Sequence, residues 1–474
     1  MVQKIAPYIF FNKIHPILDY ILLIKFKTIF HFQFSISPSL FPSNNLSYII
    51  KKESIVNQCK TKTEEKLEYS QLLDEFILGC KTSRKIGMEY ERIPLNKITK
   101  EVVSYGGDYG VCELLREFAK SDNWDYILDD TNIIGLKKLH DTITLEPGCQ
   151  IELSIEPQEF IRDLKKKIEE IDSNLAPILD RFGIELINKG VSPTTTYKNI
   201  KLLPKRRYHI MANYLWGILS DVMMRETAGI QVGVDYSSEE DAMRKFRVAN
   251  LMMPFATAMY ANSKIRGGVD TGYKSFRALA WLNTDNERCG FATKFQDGMS
   301  FKDYVNLLLD TPMIFINREK TPLNINGRLT FKQFMEKGFE GFNATIEDWQ
   351  LHSNLYFPEV RLRNFIEIRN HDCVGGGLEY SIPALYKGIM YSPSALEEVE
   401  NLLCKYSFNE INELRYNVAR YATSAKLRKT SISSICKELV EISYYSLKTQ
   451  LEDEEKFLEP IMELLKKGKT PCEV

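Results

Sequence analysis

Lys85-Ile86-Gly87-Met88-Glu89-Tyr90-Glu91 is the stretch from which the fold is read. Apolar side chains alternate with Gly87, Glu89 and Glu91, the period of a strand with one covered face. Both glutamates therefore project from one side, with Cα atoms about 6.5–7 Å apart. Three further segments repeat this design. Thr142–Ser154 sets Glu146 and Glu152 on either side of Pro147-Gly148, so a hairpin brings both to one surface. Ile230–Tyr236 alternates Ile230, Val232, Val234 and Tyr236 with Gln231, Gly233 and Asp235, and the missing side chain of Gly233 leaves room for a ligand. Asn364–Arg369 puts Glu367 and Arg369 on one strand face.

A single pair of this kind is ordinarily the solvated side of an antiparallel strand. Five acids gathered on one sheet are different. Two unit charges about 7 Å apart repel by about 2 kcal/mol at an effective dielectric near 20, so convergence requires protons or cations. Hard oxygen ligands of this type suit Mg²⁺ or Mn²⁺, and several carboxylates with water positions left over suit a metal that also holds nucleotide phosphates.

The chain has 474 residues, 44% hydrophobic and 26% charged, which excludes wholesale disorder and a fibrous fold. Lys plus Arg (62) against Asp plus Glu (63) leaves −1, so no global basic field recruits nucleic acid. Nine scattered cysteines, none spaced C-x-x-C, suit a reducing compartment and give no zinc-ligand pattern. Residues 1–60 differ from the rest in being rich in Phe, Ile, Leu and Lys and almost free of acids before Glu53. Asp19, Lys25, Lys27 and His31 interrupt the apolar run, so no span of about 20 uncharged residues exists. This extension reads as a poorly ordered or spuriously translated segment, as a targeting sequence, or as a membrane-surface segment. The expected location is cytoplasmic, with plastid-type targeting as the alternative.

From residue 61 to 474 the pattern is one continuous α+β domain, a mainly antiparallel sheet surrounded by helices and followed by a helical part from about residue 394. Helices are expected over Gln71–Cys80, over Glu156–Phe182 with Gly183 as its stop, over Arg206–Arg225, and from Ser237 or Ser238 through Phe255 with a kink at Pro254.

Six segments in order, Ile86–Glu91, Thr144–Ser154, Gln231–Asp235, Ser275-Phe276-Arg277 with Trp281 and Thr284-Asp285, Phe357–Arg361, and Glu367-Ile368-Arg369, resemble the plant-type and bacterial glutamate–cysteine ligases, over about Tyr69–Leu403. The resemblance implies a glutamine-synthetase-like curved sheet and ATP-dependent formation of γ-glutamylcysteine from L-glutamate and L-cysteine through a γ-glutamyl phosphate, the first step of glutathione synthesis. It implies that Glu89, Glu91, Glu146, Glu152 and Glu367 hold Mg²⁺ ions bridging the ATP phosphates, with Mn²⁺ as a substitute. It puts Arg277 at the substrate glutamate, with Trp281 one turn later as a wall.

Arg369 is expected to meet phosphate oxygens as charge develops, its bland alternative being an ion pair with Glu367. Gln231 and Thr227 are substrate-binding candidates; Asp235 and Arg288 are weaker ones that could simply fix loops. Lys205-Arg206-Arg207 reads as surface charge, His371 as a loop residue, the Gly106–Gly110 and Gly375–Gly377 segments as flexible loops, and Met252, Met253 and Met259 as core fillers. Departures from the family pattern are Cys149 in place of a second glycine, Gly233 in place of asparagine, and Asn370-His371 in place of a small pair. Two other functions stay open: a ligase of the same fold for a different amine, and a non-catalytic nucleotide-binding module. The expected partners are small molecules, with no nucleic acid and no stable membrane span, in a monomer or homodimer.

Overall fold

A nine-stranded antiparallel sheet organises the computed structural model, which describes residues 66–291, 298–319 and 321–474. The readings made of residues 1–60 lie outside them. Its strands, numbered along the chain, are β1 (Ile86–Asn96), β2 (Asp125–Asp129), β3 (Asn132–Lys138), β4 (Asp141–Leu145), β5 (Ile151–Gln158), β6 (Ile184–Ile187), β7 (Gly229–Val234), β8 (Val360–Leu362) and β9 (Ile366–Asp372). The order is β8-β9-β7-β1-β5-β4-β3-β2, with β6 added beside the far half of β1. The sheet stays open, and helices cover one face.

The period-2 pattern explains which face. Ile86, Met88 and Tyr90 of β1, Ile151, Leu153 and Ile155 of β5, Ile230 and Val232 of β7, and Ile366 and Ile368 of β9 are all buried. Helices Glu239–Met259 and Leu378–Met390 pack against this side. Met252, Met253 and Met259 are fully buried there, as core fillers should be. Burial of such aliphatic side chains contributes about 1.5–3 kcal/mol each, and it forces Glu89, Glu91, Glu152, Gln231, Glu367 and Arg369 onto the opposite face.

Two expected helices are corrected. Glu156 belongs to β5, and the helix begins only at Ile161. Pro157 disfavours α conformation in the residue before it, which keeps Glu156 extended. Ile161–Phe182 then buries Ile161, Leu164, Ile168, Ile171, Leu175 and Ile178, and Gly183 ends it in the left-handed region at φ +63°. Arg206–Arg225 is two helices, Arg206–Tyr214 and Ser220–Glu226. Between them the backbone turns to the 283–284 loop. Gly217 N–H donates to the Thr284 carbonyl at 3.1 Å and Leu219 N–H to the Asn283 carbonyl at 3.2 Å. A Cβ on Gly217 would lie 2.1 Å from the Thr284 oxygen. The helix over Glu239–Met259 starts as expected, with Ser238 accepting from Asp241 N–H. From Pro393 onward the chain is mainly helical, and among the described residues no helix is long and apolar enough to cross a membrane.

The β4–β5 connection carries the turn read from Pro147-Gly148. Cys149 N–H donates to the Glu146 carbonyl at 2.8 Å, and Cys149 itself takes the left-handed position at φ +70°, a conformation that glycine adopts without steric cost. Gly148 serves another purpose: a Cβ would stand 2.1 Å from the Arg225 carbonyl oxygen. Gly148→Ala should therefore destabilise the protein by about 2 kcal/mol through overpacking, whereas Gly106→Ala, with no atom within 4 Å of the added carbon, should be near neutral. Thermal unfolding of both variants checks this; equal midpoints would contradict it.

Candidate active site

The strand register assembles the acids. Glu91 lies opposite Glu152, and Glu152 opposite Thr144. Glu89 lies opposite Gln231, and Glu367 lies between Gly233 and Arg361. The turn adds Glu146. All five glutamates line one chamber of about 200 Å³. Directly opposed residues such as Glu91 and Glu152 have Cα atoms about 5 Å apart, where two charges repel by about 3 kcal/mol at an effective dielectric of 20.

Their environments differ. Burial, then the Glu367 charge, pushes the Glu89 carboxyl up to about 7. Burial and Glu146 push Glu91 to about 7 as well, although it accepts from Gly229 N–H at 2.6 Å and from Gln231 Nε2 at 3.0 Å. Glu152 is raised by burial and by Glu89, Glu146 and Glu91 while accepting from the Thr144 hydroxyl at 2.7 Å. The Tyr208 hydroxyl sits 3.2 Å from Glu146 Oε1. Glu367 behaves oppositely: burial raises it, but the Arg361, Arg369 and Arg363 guanidiniums outweigh this and hold it down at about 2. Arg361 binds it through two nitrogens at 2.6 and 3.1 Å, and Arg369 through one at 3.1 Å.

Bases stand beside the acids, Arg369 on the same sheet face. Arg207, Arg277, Arg361, Arg363 and Arg369 line the same chamber. Gln231 links acid to base, donating to Glu91 and accepting from Arg369. Arg277, on the short helix Phe276–Leu282, is buried rather than solvated and donates to the Arg369 carbonyl at 3.0 Å. A Cβ on Gly229 would lie 2.4 Å from its Nη2, so glycine is what lets it pass. Ser275 caps this helix and donates to Asp372, which also accepts from Ser263 and from Asn262 N–H. Trp281 lines the chamber 6.0 Å from the Arg277 guanidinium.

Several expectations change. Asp235 shares the parity of the site but lies outside the chamber, accepting from Lys81, Ser83 and Lys85 N–H. Arg288 is a buried staple, bonded to Asp285, the Leu355 and Pro312 carbonyls and Tyr214. Thr227 lines the chamber, but its hydroxyl donates to the Met223 carbonyl at 2.6 Å. The space above Gly233 is taken by Phe365, whose ring would be 3.2 Å from an added Cβ. His371 is in β9, not a loop, and points into the core: its Nδ1 donates to the Ile230 carbonyl at 3.1 Å and its Nε2 accepts from Tyr386 at 3.0 Å. Lys205-Arg206-Arg207 divides: Arg206 pairs with Asp129 and Asp130 at the surface, whereas Arg207 lines the chamber and burial, with Arg207 beside it, pulls half-buried Lys205 down to about 8. Neither glycine-rich loop lines it.

Sequence reasoning missed Arg207, Arg361, Arg363, Tyr208 and Gln150. Arg361 had a signal in the Arg363-Asn364 turn, which pairs it with Glu367. The others are brought in by tertiary contacts alone. Gln150 pins the turn by accepting from Gly148 N–H and donating to the Thr227 carbonyl at 2.7 Å.

Four carboxylates without a cationic partner in hydrogen-bond range are the chemistry of a divalent-cation site. Among the described residues no three acidic, His or Cys groups converge on one point, so the acids form a wall rather than a closed shell. That suits ions arriving with water and phosphate oxygens. Glu89 and Glu91 hold protons that the unfolded chain, near 4.5, has released. Their contribution to stability is undiminished below about pH 4.5 and falls as pH rises towards 7. A bound cation removes that penalty. His352 and His371, kept neutral by burial at about 4 and 3, act in the opposite sense below about pH 6.5, so the increment from Mg²⁺ is the clean readout. We expect added Mg²⁺ to raise the unfolding temperature more at about pH 8 than at about pH 6; an equal rise at both would contradict a cation site here.

The chain matches the model of glutamate–cysteine ligase family 2 over residues 85–473. It is 32% identical over 417 residues to the chloroplastic glutamate–cysteine ligase of Medicago truncatula, covering 86% of this chain and 81% of the relative. The same identity holds for the chloroplastic glutamate–cysteine ligase B of Oryza sativa subsp. japonica, covering 83% of that protein. In fold it is similar to the glutamate–cysteine ligase of Francisella tularensis solved in complex with AMP, with a TM-score of 0.52, 14% identity and coverage of 83% and 84% of the two chains.

Proposed function

The chain belongs to glutamate–cysteine ligase family 2, and from that premise we propose that it uses ATP and Mg²⁺ to join the γ-carboxylate of L-glutamate to the amino group of L-cysteine. The observation that carries this reading is one chamber lined by four carboxylates without a cationic partner and by five guanidiniums. The γ-phosphoryl group moves from ATP to the γ-carboxylate; the cysteine amine then attacks the acyl carbon and phosphate leaves. Neither step needs a nucleophilic side chain, and positioning with charge neutralisation carries the catalysis.

In this reading Glu89, Glu91, Glu146 and Glu152 hold Mg²⁺, with Glu367 closing the set where it also anchors Arg369. Bound there, Mg²⁺ or Mn²⁺ neutralises and aligns phosphate oxygens. Arg369 and Arg207 meet the charge that develops on the transferred group. Arg277 and Trp281 take the glutamate, and Gln231 orients both Glu91 and Arg369. Thr227 shapes the wall.

Product analysis by mass spectrometry with ATP, Mg²⁺, glutamate and cysteine tests the activity and should find γ-glutamylcysteine; a different amine in the product would identify a ligase with another acceptor. Glu91→Gln removes charge but little volume. It should lower kcat at least about 100-fold while leaving the unfolding temperature unchanged or higher, since a buried repulsion is relieved. Near-normal turnover would remove Glu91 from the site.

The acid-poor composition of residues 1–60 and the chloroplastic relatives support reading this extension as an organelle-targeting segment. Fused to a fluorescent protein in plant cells, residues 1–60 should direct it to plastids; a diffuse cytoplasmic signal would reject the reading.

A further inference from the structure

Glu146 differs from the acids around it in how it is held. Glu89, Glu91 and Glu152 stand on β1 and β5, each flanked by a strand on both sides. Glu146 comes one residue after β4 ends, in the turn, where no ladder fixes it. Among the described residues its carboxylate has one hydrogen-bond partner, the Tyr208 hydroxyl, 3.2 Å from Oε1.

The segment that brings Tyr208 is clamped to the same turn. Leu203 N–H donates to the Pro147 carbonyl at 2.8 Å, and the buried Tyr208 places its hydroxyl 3.2 Å from the Leu145 carbonyl as well as from Glu146. Two cations stand over its ring, Lys205 Nζ at 4.6 Å and the Arg207 guanidinium at 5.3 Å from the centroid. Lys205 Nζ is also 3.4 Å from the hydroxyl oxygen. An ammonium only donates, so Lys205 makes that oxygen an acceptor and leaves its single hydrogen to choose between two acceptors at equal distance. The Leu145 carbonyl is neutral. Donation to a carboxylate is the stronger, charge-assisted bond, so the hydrogen goes to Glu146.

We infer that Tyr208 is a positioning residue for the cation: held by Lys205, it fixes Glu146 through Oε1 and leaves Oε2 to the chamber. This rests on the ligase reading, in which Glu146 is one of the acids that hold Mg²⁺, and adds the side chains that set its affinity. Among the described residues the acids do not close into a shell, so an arriving cation must gather them. A side chain that turns freely loses rotamer entropy when it is gathered, and one already held loses less. Strand pairing restrains the other three; the turn acid depends on Tyr208.

Titration with Mn²⁺ alone, read from the electron paramagnetic resonance of the free ion, tests this without turnover. Tyr208→Phe, which keeps the ring and removes the hydroxyl, should raise the Mn²⁺ Kd about tenfold, the lower end of what outer partners of metal ligands supply. Lys205→Met should shift it in the same direction and Lys205→Arg should restore it. The double variant Lys205→Met/Tyr208→Phe should bind no more weakly than Tyr208→Phe, because both act through one hydroxyl. In turnover, Tyr208→Phe should raise the Mg²⁺ concentration for half-maximal rate and leave the KM for glutamate unchanged, a split that general damage to the fold would not give. Wild-type Mn²⁺ affinity in Tyr208→Phe, additive losses in the double variant, or a parallel rise in the KM for glutamate overturns the assignment. Absence of Mn²⁺ binding by the wild type would instead overturn the cation site of the ligase reading itself.

Discussion

Like charges held together on a covered sheet face are the constraint on which this structure turns. β1, β5 and the β4–β5 turn bring Glu89, Glu91, Glu146 and Glu152 to one chamber, where each approach of two carboxylates costs about 2–3 kcal/mol. The apolar side of the same strands makes this unavoidable. Moving any one strand by a single residue would free the acids from each other, but would expose the aliphatic set and bury the carboxylates. Core packing therefore enforces electrostatic strain that only protons or cations relieve.

The neighbouring strands of the same face show how the fold limits that strain. Glu367 is the acid whose charge is met by guanidiniums, and they hold its carboxyl down at about 2. Gln231 then links acid to base: it takes a hydrogen bond from Arg369 and gives one to Glu91. Arg277 leans on the Arg369 carbonyl, and the helix carrying it is fixed through Ser275 to buried Asp372. The acids and Arg277 are thus joined by one chain of hydrogen bonds through Gln231 and Arg369.

What was legible in the sequence follows from the periods involved. A strand places side chains two apart on one face whatever the rest of the chain does, so Glu89, Glu91, Glu152, Gln231, Glu367 and Arg369 could be assigned together before any coordinates. Parity has limits at strand ends. Asp235 has the right phase, yet just beyond Val234 it turns to Lys81, Ser83 and Lys85. Gly233 has the right phase too, but Phe365 from the neighbouring hairpin fills the vacancy. Arg207 and Tyr208 reach the chamber because a helix is broken at Gly217 by a loop some 67 residues on in sequence (217 to 284), and no local pattern encodes such a contact. Helix ends suffered similarly: Glu156 satisfies a helical period but is held extended by Pro157.

The charge of the chamber also bears on what enters it. Five glutamates and five arginines line it; Glu367 is paired with Arg361 and Arg369, and the other four acids have no cationic partner in hydrogen-bond range. A bare triphosphate would be drawn to the guanidiniums and repelled by the carboxylates beside them, and a bare cation would meet the reverse. A metal–triphosphate complex would bring a cation for the unpaired acids and anionic oxygens for the guanidiniums at once. Four unpaired acids beside guanidiniums would thus favour the neutralised complex over either ion alone, which a set of internally satisfied pairs would not do.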